Sequence, residues 1–170
     1  MQFLTLKEAR KRTKLDLISD RNIYHRDYFR GLVQVRRSQM ETERRYPRHK
    51  EIRESAIKFF AARKYEIYPH GIAIDGIYAC PDFAIFRGNR IIFVECLTAD
   101  WVNFRTVRDK EKVRDFVPIV FITENKPRNE FRLGNEYYNF NRRLQRLAHT
   151  CILYAFDPLT KRVGRYKAKE

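Results

Sequence analysis

The segment "PDFAIFRGNRIIFVECL", Pro81 to Leu97, constrains this chain more than any other. Two runs of aromatic and β-branched side chains flank Gly88-Asn89, a dipeptide that suits a two-residue hairpin turn with Gly first. With those two residues as the loop, Arg87 pairs with Arg90, Phe86 with Ile91 and Ala84 with Phe93. The same register sets Asp82 opposite Glu95, with Cβ atoms about 4.5–5.5 Å apart. A slip of one residue would send the two acids to opposite faces, so the turn decides. Facing carboxylates among apolar neighbours repel each other and resist loss of water. Protonation of one acid, a basic side chain between them, or a divalent cation would each relieve the conflict. Oxygen donors so spaced suit Mg2+ or Mn2+, which keep several waters and accept phosphate oxygens. The plainer alternative pairs each acid with one of the many arginines.

The elements around the hairpin set the fold class. "KEIRESAIKFFAARK" places Ile52, Ala56, Phe59 and Phe60 on one side of a helix. "YEIYPHGIAIDGIYAC" is β-prone but broken by Pro69 and Gly71, giving one bent strand or two short ones. After the hairpin, "WVNFRTVRDKEKVRDF" reads as a helix, "VPIVFIT" as a buried strand, "NEYYNFNRRLQRLAHT" as a helix and "CILYAF" as a last short strand. The order α-β-β-β-α-β-α-β predicts a mixed sheet flanked by helices, class α/β or α+β. Residues 1–47 form a basic N-terminal arm or helical extension, 48–158 the core domain and 159–170 a frayed basic tail. Within the arm "LTLKEARKRT" and "GLVQVRRSQMETERR" have helical character, "YHRDYFRGLVQV" is open between helix and strand, and Pro47 interrupts a helix. With no Gly/Ser linker, the arm is expected to pack on the body.

Charge points to a partner. The 36 lysines and arginines against 21 acids give +15, which calls for a polyanion such as nucleic acid. No apolar run reaches the roughly 18–20 residues that span a bilayer, and "MQFLTLKEARKRTK" holds no signal-peptide stretch, so an intracellular, cytoplasmic protein with no membrane partner is expected. Cys80, Cys96 and Cys151 are odd in number, lack metal-ligand spacing and read as buried reduced thiols.

"PD", then twelve residues, then "ECL" resembles the core of the PD-(D/E)xK nuclease superfamily, which includes restriction endonucleases and archaeal Holliday junction resolvases. The resemblance covers roughly residues 50–156 and implies a restriction endonuclease-like αβββαβ core. It implies a metal-dependent deoxyribonuclease in which Asp82 and Glu95 bind Mg2+ or Mn2+. It adds a helix glutamate, for which Glu54, eleven residues before Tyr65, fits better than Glu51. Double-stranded DNA is the favoured substrate, a homodimer suits double-strand cutting, and a virus or plasmid is a natural source. The pattern asks for Lys where Leu97 stands; Lys110 and Lys112 on the following helix are the candidates to replace it. If neither does, a DNA-binding protein on a catalytically impaired fold is the alternative.

Among other residues, Arg26, Arg30, Arg36 and Arg37 interleave with Tyr24, Tyr28 and Phe29, a composition suited to phosphates and stacked bases or to docking of the arm. Arg105 and Arg108 are further phosphate candidates. Asp75 in "IAIDGIY" reads as a turn residue, His70 as a surface or hydrogen-bonding residue, and His25, His49 and His149 have no metal-site spacing.

Overall fold

The computed structural model describes residues 1–19, 44, 46–74, 80–99, 114–126 and 128–166. Arg26, Arg30, Arg36, Arg37, Asp75, Trp101, Arg105, Arg108, Lys110 and Lys112 lie outside the described residues, as does most of the helix expected after the hairpin.

A helix α1 (Leu6–Thr13) opens the chain, followed by β1 (Leu17–Ser19). Thr5 and Glu8 close a capping box at its start, and Lys14 ends it in the left-handed conformation. Next come α2 (Pro47–Ala61), β2 (Glu66–Tyr68) and β3 (Ile72–Ile74). Pro47 is the first residue of α2, where its missing N–H costs nothing and its fixed φ suits the helix. Of the stripe expected on α2, Ile52, Ala56 and Phe60 are buried, Ile57 joins them and Phe59 is half-buried.

The β-prone segment after α2 is two short strands in different sheets: β2 joins the main sheet, while β3 pairs antiparallel with β1. The hairpin forms β4 (Phe83–Arg87) and β5 (Arg90–Leu97), and its register from Arg87–Arg90 to Phe83–Val94 is the one the turn dictates. Gly88 supplies the turn with φ +59°. Strand β6 (Ile119–Glu124), a short 3₁₀ turn (Arg128–Glu130), α3 (Gly134–Thr150), β7 (Ile152–Asp157) and β8 (Arg162–Arg165) complete the chain.

The result is a mixed α/β fold. Six strands run in the order β2-β4-β5-β6-β7-β8; the β5–β6 and β6–β7 pairs are parallel and the others antiparallel. Strand alternation divides the core. Phe83, Ile85, Val94, Cys96, Val120 and Ile122 pack with α2. Ala84, Phe86, Phe93, Leu97 and Phe121 pack with Ala9 of α1 and Phe140, Leu144 and Leu147 of α3.

One expectation changes. The tail read as frayed contains β8: Asp157 accepts hydrogen bonds from Leu159 N–H (2.9 Å) and the Thr160 hydroxyl (2.8 Å), forming a tight turn that returns Val163 to the core. The described start of the arm packs on the body. Leu4 and Leu17 are buried, and Arg12 pairs through both guanidinium nitrogens with Glu66 of β2.

Candidate functional site

Asp82 occupies the bend just before β4, at the end of the sheet where β5 finishes. Its N–H donates to Val94 O at 3.0 Å, and its Oδ2 accepts the Cys96 N–H at 2.7 Å. Asp82 thus brackets Glu95. The expected rung between Asp82 and Glu95 is replaced by one made with a side chain, because the carboxylate captures the next amide along β5. Glu95 keeps its place in the parallel ladder opposite Phe121 and is 6 % exposed. Alternation gives it the side of Phe93 and Leu97.

A basic residue meets the acids. Asp82 Oδ2 lies 3.2 Å from His49 Nε2, with both side chains largely buried. The stripe of α2 explains the placement: Ile52, Arg53 and Ala56 follow His49 at three, four and seven residues, so one face runs on from core to site. The charge of Asp82 pushes the His49 pKa up to about 9; its hydrogen bond to Asp82 and the charge of Glu95 add to this, while burial and Arg53 oppose it. His49 is therefore an imidazolium at neutral pH and feels both carboxylates. Arg53 donates to Pro69 O at 2.8 Å. Burial, with the two acids, holds the Cys96 thiol far above its usual range, so it stays protonated.

A second acid cluster adjoins the first. Glu124 ends β6, is 6 % exposed, accepts the Ala99 N–H at 3.2 Å and lies 3.3 Å from Arg48 Nε. Arg48 also pairs with Glu51 at 2.6 Å, and Glu51 pairs with Lys161 of the β7–β8 turn. Because β5 and β6 are parallel, Glu95 and Glu124 sit toward the same end of the sheet, with alternation turning Glu95 to the side of Phe121 and Glu124 to the side of Ile122 and α2. The sequence pattern set His49 aside for want of metal-site spacing and did not single out Glu124. The histidine could be found by extending the helix stripe one turn back to Pro47, and the glutamate by noting that "IVFITE", like "RIIFVE", ends an apolar strand in an acid.

The remaining expected residues are not gathered here. Glu54 is half exposed, with its carboxylate 3.9 Å from Lys50 Nζ. Leu97 is 2 % exposed within the apolar cluster that includes Phe93, Phe121 and Phe140. His70 stacks edge-on against Tyr68, and His149 is exposed. Cys80 and Cys96 are buried and Cys151 is partly exposed. Among the described residues no three His, Cys, Asp or Glu side chains form a group poised for a metal ion, and no helix is long and apolar enough to cross a membrane. No protein-family model matches the chain, and a search of curated proteins finds no match.

Proposed function

We propose that this chain is a metal-dependent nuclease acting on DNA, of the PD-(D/E)xK kind, with Asp82 and Glu95 as the acids that hold Mg2+ or Mn2+. The observation that carries the reading is that Asp82, anchored on the Cys96 N–H beside the buried Glu95, faces His49 at 3.2 Å in a chain of net charge +15. The donors fit the ion: one or two carboxylates, here one at the bend before β4 and one on β5, with waters and phosphate oxygens completing the shell, is how Mg2+ is usually held. Bound there, the ion would supply Lewis-acid polarisation of a phosphodiester and charge to offset the leaving oxygen.

The chain's own residues bind and orient. Asp82 is anchored through the Cys96 N–H, and Glu95 is held in the ladder beside β6. His49 holds a proton at Nε2 against Asp82 and puts positive charge beside the acids, which Leu97 cannot do. Lys110 and Lys112 remain the proposed substitutes for the motif lysine, and Arg26, Arg30, Arg36, Arg37, Arg105 and Arg108 the proposed phosphate contacts. A role for Glu54 would require its side chain to leave solvent and Lys50.

The test is scission of duplex and single-stranded DNA with Mg2+, Mn2+ or a chelator, by wild type and Glu95→Ala. Cleavage should need the divalent ion and fall at least about 100-fold in the variant, as when a group acting on the transition state is removed. Activity surviving either treatment refutes the assignment. One observation favours a second reading, DNA binding without turnover: the position that should bear lysine is buried leucine. That protein would lose DNA steeply with salt and leave strands intact.

A further inference from the structure

Beyond β6 the chain carries a row of rings that climbs out of the core. Phe140, buried under the sheet, lies 5.4 Å centroid to centroid from Phe131; Phe131 is 5.5 Å from Tyr137, and Tyr137 is 6.0 Å from Tyr138. The row ends in solvent, with Tyr138 64 % exposed. Cations flank it. Lys126 Nζ stands 4.9 Å from the Phe131 centroid, and the Arg128 guanidinium 5.9 Å from those of both Tyr137 and Tyr138. These distances fall inside the roughly 6 Å range of cation–π attraction. From Lys126 to Arg146 the sequence has six basic residues and two acids.

Position gives the row a purpose. Its first flanking cation, Lys126, comes two residues after Glu124, at the end of the sheet toward which the parallel strands β5 and β6 both run. Arg48, which holds Glu124, is the chain neighbour of His49, which holds Asp82. A single exposed tyrosine needs no explanation. An exposed ring backed by three others and bordered by cations, on the connection that follows Glu124, is a different matter.

We propose that the β6–α3 connection and the first turns of α3 form a stacking platform for unpaired bases, so that the site takes DNA with a single-stranded segment. Bases of a duplex are already stacked on one another, whereas those of a single strand offer a π-face to Tyr138 while the phosphates meet Lys126, Arg128 and Arg142. The net positive charge of the segment fits a polyanion and disfavours a basic or neutral protein partner. The proposal deepens the nuclease reading, and rests on it for the word substrate; binding itself does not require cleavage.

Fluorescence anisotropy with labelled oligothymidine of about 16 nucleotides, the upper end of a single-domain site, measures this in chelator. Wild type should prefer the single strand to a duplex of equal length. Tyr138→Ala should weaken single-strand binding about 5- to 150-fold, the loss of one stacked base, with unchanged circular dichroism. Tyr138→Phe should retain binding. Should Tyr138→Ala lose helix content, Arg128→Gln is read in its place and should also weaken the single strand. Equal affinity of wild type and Tyr138→Ala, or duplex bound as tightly as single strand, overturns the platform. Binding as expected without metal-dependent scission overturns the nuclease reading alone.

Discussion

Replacing His49 by Gln in metal-free buffer tests the electrostatics on which the site is built. In the folded protein the His49 pKa is raised from 6.5 to about 9, first by the charge of Asp82. A group with a raised folded pKa binds its proton more tightly when folded, so it stabilises the fold fully below the unfolded pKa near 6.5. That stabilisation fades as pH climbs through about 9. At about 1.4 kcal/mol per pH unit, the shift corresponds to about 3 kcal/mol. This is an upper figure, because His49 Nδ1 is buried with no hydrogen-bond partner among the described residues. Urea unfolding of wild type and His49→Gln at pH 6 and pH 10 in chelator gives the answer. The stability gap between the two proteins should be larger at pH 6 and shrink by up to about 3 kcal/mol at pH 10. A gap that does not change with pH, or an NMR titration placing His49 near its ordinary pKa, would refute the reasoning.

Two further substitutions probe the hairpin. Leu97→Lys, which writes the missing motif residue back, buries an ammonium among Phe93, Phe121 and Phe140 and should cost at least about 3 kcal/mol in urea unfolding without raising cleavage. A stable variant that gains metal-dependent scission would show that this position faces the chemistry after all. Gly88→Ala meets no atom within 4 Å but keeps φ at +59°, so only backbone strain counts. It should lower stability by about 1 kcal/mol and leave DNA affinity alone; a much larger loss would mean that the turn is held by something other than its conformation.

The hairpin was legible because its information is local. Gly88-Asn89 sets the register, and five successive pairs from Arg87–Arg90 to Phe83–Val94 follow from it. The reading stops at Asp82 because a short polar side chain can imitate a backbone acceptor, and no pairing rule counts side-chain oxygens. Mixed sheet and flanking helices were readable from alternating elements, and α3 from its periodicity. β1 and β8 were not: three and four residues long, they exist because β3 and β7 offer edges to pair with. His49 and Glu124 were hidden for a related reason. Each looks like an ordinary surface residue until the strand ends and the start of α2 converge, a tertiary event with little trace in the neighbouring sequence.

The opening residues leave a mark on how copies of this protein can meet. Strand β2 borders the sheet, and the outward amide and carbonyl of Ile67 are both engaged by Gln2 and Leu4. At the opposite border β8 is only four residues long and displays Arg162 and Arg165. Among the described residues β2 is thus covered at Ile67, and β8 offers only a short margin flanked by arginines, a poor template for another strand. A second copy that met this sheet at β8 would gain at most a four-residue ladder beside two arginines, so main-chain pairing is a weak route to association.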